Sequence, residues 1–286
     1  MNLEIQKNSL SFRDPASKVY QILDNDGKII KILRGVRQDA LKNFTEISKQ
    51  EFYKKFVSSE MIVKTEVNKK ENFESKSIIK DGWDGVLEHD LIKFTSYPYE
   101  WSFSMLKDAA LLHLFLLKKS IECSWILKDA SAYNIQWKDG NPIFIDIPSF
   151  VPYEDKQGWL AYRQFCSMFL IPLLIKKNLN IDLNNILRSN LEGISPEEAY
   201  NYFQFYNKLK RGVFSHIFLP NILNKFLKKN NKKNRKNFKQ NKSHILSLIE
   251  SIYKQIKDLN YKKKSIWLGY DKKNSYDEEN KIIKEN

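Results

Sequence analysis

The sequence predicts an α+β protein in which a small β-rich lobe precedes a larger, mostly helical lobe. Strand-like segments dominate the first third of the chain, and helical apolar spacing dominates its second half. A chain of 286 residues with 42% hydrophobic residues is long and apolar enough to bury a substantial core. We therefore predict a small N-terminal lobe at 1–95, a helical C-terminal lobe at 96–260, and a tail or junction at 261–286.

The small lobe begins with two strand-like segments joined by a hairpin turn. Residues 24–27, Asp-Asn-Asp-Gly, are typical of such a turn. A helical pattern follows, in which Leu41, Phe44 and Ile47 recur every three residues on one face. The predicted elements, in order, are strands at 17–23 and 28–34, a helix at 39–56, a strand at 61–67, a charged loop at 68–80 and a strand at 85–89.

An aromatic connector at 96–101 leads into the helical lobe. Pro98 argues against a regular helix there, and the connector's aromatic side chains either pack as a structural joint or flank a nucleotide base. Ser102 is a typical N-cap for a long helix at 103–120 with an apolar stripe. The later helical patterns lie at 159–176, 181–190, 196–210, 217–229 and 243–260.

The most informative segment is a polar β-hairpin at 127–146. Asp129 is followed by Asn134, then by two short apolar strands around an Asp-Gly turn, and finally by Asp146. Phosphoryl transfer needs a carboxylate for the nucleophile's proton and oxygen ligands for Mg²⁺. The hairpin therefore predicts Asp129 as the base and Asn134 and Asp146 as metal ligands. The alternative is an ordinary hairpin with polar residues at its mouth.

This arrangement resembles the catalytic core of the protein-kinase-like superfamily. The resemblance implies a two-lobed kinase-like fold that binds ATP and Mg²⁺. Leu127 stands where kinase loops usually have His, and Ile147 and Pro148 follow Asp146 where Phe-Gly or a similar pair is usual. These departures favour a related but non-catalytic module as an alternative.

The nucleotide-binding residues of the small lobe are less clearly marked. The sequence contains no Gly-rich phosphate loop there. Lys31 is the best candidate for the phosphate-binding lysine, with Glu51 or Glu60 as its helix partner. The alternative is that Lys31 is an ordinary exposed strand lysine.

Four segments in series also resemble a bacterial family of SAM-dependent methyltransferases, some of which are described as related to nodulation proteins. The resemblance covers about 15–285 and implies a kinase-like region that precedes a Rossmann-type methyltransferase domain. Residues 267–286 resemble the junction between these two regions. It is also the only basis for expecting a glycan-type acceptor. No two of the 9 glycines form G-x-G, so we expect that this chain binds neither SAM nor a dinucleotide by itself. The matching segments are 96–112, 127–134, 144–150 and 162–166.

Net charge and hydropathy limit the partners. The formal net charge is +14, and 225–242 contains a run of Lys and Arg without any acidic residue. The run indicates a solvated loop or frayed helix, and the alternative is a phosphate-binding or nucleic-acid-binding patch. Because no recognition pattern accompanies it, we do not expect nucleic-acid binding. No apolar segment is long enough for a membrane span and no secretory signal is visible, so we expect a cytoplasmic protein.

Taken together, these patterns favour an ATP- and Mg²⁺-dependent phosphotransferase acting on a small hydroxylated or glycan-type acceptor. The first alternative is a non-catalytic kinase-like accessory module of a SAM-dependent methyltransferase system. The second alternative is a basic nucleic-acid-binding module.

Overall fold

The strand-rich part of the chain folds into a five-stranded antiparallel sheet. The computed structural model describes residues 4–8, 15–154, 158–204, 207, 209–210, 212–222 and 241–261. The strands are β1 (Glu4–Lys7), β2 (Ser17–Leu23), β3 (Ile29–Val36), β4 (Thr65–Val67) and β5 (Gly85–His89). Their spatial order is β1-β2-β3-β5-β4. The expected hairpin turn joins β2 and β3, where Gly27 has a φ of 74°.

Three helices accompany this sheet, and they differ from the predicted pattern in two places. The segment predicted as one helix at 39–56 forms two, because Gln50 is extended and begins the second. The segment 68–80, predicted as a loop, contains a helix that buries Ser75 and Ile78, so the prediction of a loop throughout was wrong. The helices are α1 (Gln38–Ile47), α2 (Glu51–Ser58) and α3 (Phe73–Lys80).

The two faces of the sheet have different neighbours. On the outer face, Tyr20, Leu33 and Val86 pack with Ile78 of α3 in a small apolar cluster. On the inner face, alternate residues such as Val36 and Leu87 belong to the main core. Arg34 is two positions from Val36 on β3, so it lies on this inner face.

The second part of the chain is mostly helical and is built around a 20-residue helix, α4 (Phe103–Glu122). The Ser102 side chain caps it as predicted, accepting a hydrogen bond from the Met105 backbone N–H at 3.2 Å. The main core contains residues from the inner sheet face, from α4 and from the last described helix. The later helices are α5 (Tyr162–Phe165), α6 (Ile171–Leu179), α7 (Leu183–Ser189), α8 (Pro196–Tyr202) and α9 (Lys242–Lys257).

A π-helical turn, Cys166–Leu170, lies between α5 and α6. Within it, the Ser167 carbonyl accepts a hydrogen bond from the backbone N–H of Ile194 at 2.9 Å. Gly193 makes this approach with a φ of 80°, and a Cβ atom there would lie 2.3 Å from the Ser167 oxygen. A carbonyl group of the π-helical turn is thus hydrogen-bonded by a neighbouring loop.

Two short β-pairs lie between the sheet and the later helices. The turn of the second pair has positive φ at Asp139 (49°) and Gly140 (80°), the backbone of a type I′ hairpin. This hairpin is fixed to the sheet-bearing part, because the Phe144 carbonyl accepts from the Val63 N–H at 2.8 Å and the Phe144 N–H donates to the Met61 carbonyl at 2.9 Å. The strands are β6 (Trp125–Leu127) with β9 (Phe150–Pro152), and β7 (Ile135–Lys138) with β8 (Asn141–Phe144).

The architecture confirms the α+β class, since an antiparallel sheet and a helical part share a core. The boundaries at 95 and 260 stay predictions. Most of the basic run at 225–242 and nearly all of the predicted tail at 261–286 lie outside the described residues. In the part of the chain that the structure describes, no helix is long and apolar enough to cross a bilayer.

Candidate functional site

Asp129 lies in a tightly hydrogen-bonded loop directly after β6. Its backbone N–H donates to the Ser149 hydroxyl at 3.2 Å, and the next N–H, of Ala130, donates to the Gln164 side-chain oxygen at 2.9 Å. The Asp129 carboxylate accepts from the Ser131 N–H at 3.1 Å. These contacts come from the turn before β9, from α5 and from the loop itself, so the loop that carries Asp129 is held by three separate segments.

Asn134 and Asp146 lie at the same end of the β7–β8 hairpin. Asn134 ends a short 3₁₀ turn that leads into β7, and Asp146 comes two residues after β8. The Ile145 N–H donates to the Asn134 carbonyl at 2.8 Å, which extends the ladder to this end. The expected proximity of these two residues is therefore present in the backbone register.

The structure brings all three residues of the motif together. The Asn134 amide nitrogen lies 3.2 Å from Asp129 Oδ2 and 3.5 Å from Asp146 Oδ2. An amide N–H₂ group between two carboxylates offsets part of their repulsion. All three side chains are partly buried, so the cluster is shielded from solvent in part and stays accessible in part.

Arg34 completes the cluster from the inner face of the sheet. Its guanidinium NH1 forms an ion pair with Asp146 Oδ1, and only 11% of the Arg34 side chain and 16% of the Asp146 side chain are exposed. Sequence reasoning missed this residue. The available signal was its position on β3. Arg34 lies two residues from Ile32 and from Val36, so the three side chains share the core-facing side of the strand, where an unpaired cation is rarely found.

The residues predicted to hold the nucleotide in the small lobe lie elsewhere. Lys31 is on the outer face of the sheet, 3.6 Å from Glu74 of α3. Glu51 pairs with Lys54 at 2.8 Å on the surface of α2, and Glu60 pairs with Lys138. The structure therefore does not bring Lys31 to Glu51, to Glu60 or to Asp146, and its geometry favours Arg34 as the cation of the site.

Three tyrosines adjoin the segment that carries Asp129 and Asn134. Tyr97 and Tyr99 of the connector stack with ring centroids 5.4 Å apart, and Tyr133, which precedes Asn134, lies 6.4 Å from Tyr97. The connector is fixed beside the hairpin because the Ser96 N–H donates to the Gln136 side chain at 2.9 Å. All three rings are half-buried, so they form a partly accessible aromatic edge next to the polar cluster.

The donor set of the cluster fits Mg²⁺ when phosphate oxygens complete the coordination. Mg²⁺ takes oxygen ligands and is usually held by one or two carboxylates together with substrate phosphates. Asp146 and Asn134 would supply these oxygens, with the Asn134 amide rotated by half a turn. No group of three or more His, Cys, Asp or Glu residues is arranged for a metal within the described segments.

No protein-family model matches the chain. The chain is similar in sequence to a nodulation protein. It is 32% identical over 274 residues to nodulation protein NoeA of Rhizobium meliloti (strain 1021). The match covers 93% of this chain and 55% of NoeA, so the chain spans about half the length of that relative. The similarity to NoeA agrees with the nodulation-related part of the expected resemblance.

Proposed function

We propose that the chain is an ATP- and Mg²⁺-dependent phosphotransferase with a kinase-like two-lobed fold. The observation that carries this proposal is the Asn134 amide between the carboxylates of Asp129 and Asp146, with Arg34 against the far side of Asp146. An acid, an amide, a second acid and a cation from the neighbouring sheet are the parts that phosphoryl transfer needs.

Each residue has a distinct role in this proposal. Asp146 and Asn134 would hold Mg²⁺, which would neutralise charge on the phosphate oxygens. Arg34 exchanges its contact with Asp146 for the phosphates, whose oxygens a guanidinium can bind in a bidentate manner. Asp129 accepts the proton of the acceptor's hydroxyl, and its hydrogen bond from the Ser131 N–H keeps the carboxylate oriented for that task.

The acceptor is a small hydroxylated molecule of the glycan type. The half-buried rings of Tyr97, Tyr99 and Tyr133 support this class, because a tyrosine presents an apolar face and a polar tip to a ligand. A hydroxylated ring has the same division between apolar faces and polar edges. The expected partner, a methyltransferase domain or protein, belongs to this proposal as well, since NoeA extends beyond the matched part.

The decisive experiment compares ligand-induced stabilisation by Mg·ATP in three Asp→Asn variants. Wild type and Asp129→Asn should both be stabilised, by roughly 2.7 kcal/mol at ~100 times the dissociation constant. Asp146→Asn should not be stabilised, because it removes a metal ligand. Asp139→Asn is the matched control, since Asp139 lies in the exposed turn at the opposite end of the same hairpin.

Turnover separates the two aspartates of the site. Asp129→Asn should retain nucleotide binding while losing activity by ~10²–10⁴-fold, the usual contribution of a positioned base. Equal stabilisation of all variants by Mg·ATP would mean that Asp146 is not a metal ligand, and the proposed roles would then be wrong.

A second candidate function is a non-catalytic accessory module of a methyltransferase system. The closed cluster favours it, because Arg34 and Asn134 already satisfy Asp146 without any ligand. In that case wild type should show no stabilisation and no heat of binding with ATP, with or without Mg²⁺. Binding of ATP measured by calorimetry would decide against this candidate.

A further inference from the structure

Two buried polar atoms beside the site have no hydrogen-bond partner. They are Nε of Arg34 and Nε2 of His89. Neither residue is at the surface, since His89 is buried and only 11% of the Arg34 side chain is exposed. Buried polar atoms are nearly always paired, so two such atoms on neighbouring strands call for an explanation.

The sheet register places these two side chains side by side. Arg34 is opposite Leu87 in the β3–β5 pair, and Ile32 is opposite His89. Arg34 and His89 are therefore diagonal neighbours on the same face, a separation that long side chains can span. Burial, together with the charge of Arg34, holds the pKa of His89 well below its ordinary value.

The second imidazole nitrogen fixes which atom of His89 carries the proton. Nδ1 lies 2.8 Å from the hydroxyl oxygen of Thr65. That hydroxyl donates its single proton to the Val63 carbonyl at 3.1 Å, so towards His89 it accepts. Nδ1 must then be the protonated nitrogen, and Nε2 of the neutral ring is an acceptor. Arg34 Nε–H is always a donor, so the two unpaired atoms are complementary.

We propose that one buried water molecule joins the Nε–H of Arg34 to Nε2 of His89, and that His89 is thereby the positioning residue for the guanidinium group. The chain Val63–Thr65–His89–Arg34–Asp146 then links the backbone of the segment before β4 to the polar cluster. With its Nε–H hydrogen-bonded on the side of His89, Arg34 presents its NH1 and NH2 edge to Asp146. The further statement that this edge binds phosphate rests on the proposed function.

The first test does not depend on any activity. In ¹⁵N-edited NMR spectra of the wild-type protein, His89 should be the neutral tautomer with its proton on Nδ1, and Arg34 Nε–H should exchange slowly with water. A proton on His89 Nε2, or rapid exchange of Arg34 Nε–H, would overturn the proposal. This measurement needs no substitution, so it stands even if variants at the buried position fail to fold.

Two variants each remove one of the two hydrogen bonds of His89 and keep the other. His89→Gln places an amide oxygen where Nε2 was and loses the bond to Thr65, whereas His89→Asn keeps a donor for Thr65 and loses the acceptor for Arg34. Slow exchange of Arg34 Nε–H should survive in His89→Gln and disappear in His89→Asn. The reverse pattern would show that His89 only supports Thr65, and it would refute the positioning role.

Binding of Mg·ATP supplies the functional test. His89→Asn should weaken binding by about tenfold, the effect of one charge-assisted hydrogen bond, and His89→Gln should restore most of it. Equal weakening in both variants would contradict the proposal. If wild type does not bind ATP, the proposed function fails, but the NMR result still decides whether His89 positions Arg34.

Discussion

At the scale of single residues, the site joins a local motif to one residue from far along the chain. Asp129, Asn134 and Asp146 can be predicted as a group because a hairpin brings residues close in sequence to one end. Arg34 contacts Asp146 across a separation of 112 positions. Its role depends on sheet register and on which face packs against the core, and neither is encoded in a short motif. Residue type alone favours Lys31, and the register places it on the opposite face of the sheet.

Arg34 and Lys31 can therefore be tested as a matched pair, because both are cations of β3 on opposite faces. Arg34→Gln should weaken Mg·ATP binding by roughly 10–100-fold, since hydrogen bonds to charged groups are worth about 1.5–3 kcal/mol. Lys31→Gln should change the dissociation constant by less than about twofold, because Lys31 pairs with Glu74 on the outer face of the sheet, away from the polar cluster. Isothermal titration calorimetry measures both. A stronger effect at Lys31 would identify Lys31, and not Arg34, as the phosphate-binding cation.

A buried histidine makes stability depend on pH. His113 of α4 is fully buried between aromatic rings, and burial lowers its pKa to about 3. The unfolded chain has an ordinary histidine pKa of about 6.5 and binds the proton more readily, so the contribution of His113 to folding stability is complete above that pH and falls below it. We expect His113 alone to lower the free energy of unfolding by about 2 kcal/mol between pH 7.5 and pH 5. His113→Phe should reduce this loss in urea unfolding curves, and an unchanged pH dependence would contradict the assignment.

At the scale of elements, sequence patterns predicted strands and capped helices better than they predicted short helices in charged segments and irregular turns within helices. The Ser102 cap and the hairpin turns follow from local rules. The helix α3 was missed because its sequence is rich in charge, and only its packing against the sheet shows which side is buried. The π turn at Cys166–Leu170 was also missed, because it depends on the distant Ile194 N–H that captures the Ser167 carbonyl.

The close approach at that π turn gives a prediction about Gly193. Gly193→Ala combines a left-handed backbone with a Cβ atom 2.3 Å from the Ser167 oxygen, so the loop must move. We expect a loss of about 1–3 kcal/mol in the free energy of unfolding. Gly27→Ala is the control, because Gly27 also has a positive φ but a Cβ atom there would have no neighbour within 4 Å. Chemical denaturation should show the smaller loss for Gly27→Ala. Equal losses would mean that backbone conformation alone, and not the close approach, sets the cost.

At the scale of the whole molecule, the α+β class could be predicted from the sequence, whereas the joining of its parts could not. Alternation and helical spacing report which elements form. They do not report that the segment 61–63 hydrogen-bonds to Phe144 of the hairpin, or that one apolar core contains residues of both β3 and α9. These contacts hold the sheet against the polar cluster, and they depend on three-dimensional packing between distant segments.

The ion pair between Arg34 and Asp146 also has a consequence for the order of folding. Closing a loop of 112 positions costs more chain entropy than closing the short β7–β8 hairpin, although the cost grows only slowly with length. The hairpin, with Asn134 at its end, is therefore expected to form early, while Arg34 reaches Asp146 only after the sheet has docked. During refolding, recovery of ligand binding should lag behind recovery of secondary structure. The polar cluster then acts as an internal reporter of native assembly, because the site is complete only when the docked sheet has brought Arg34 to Asp146.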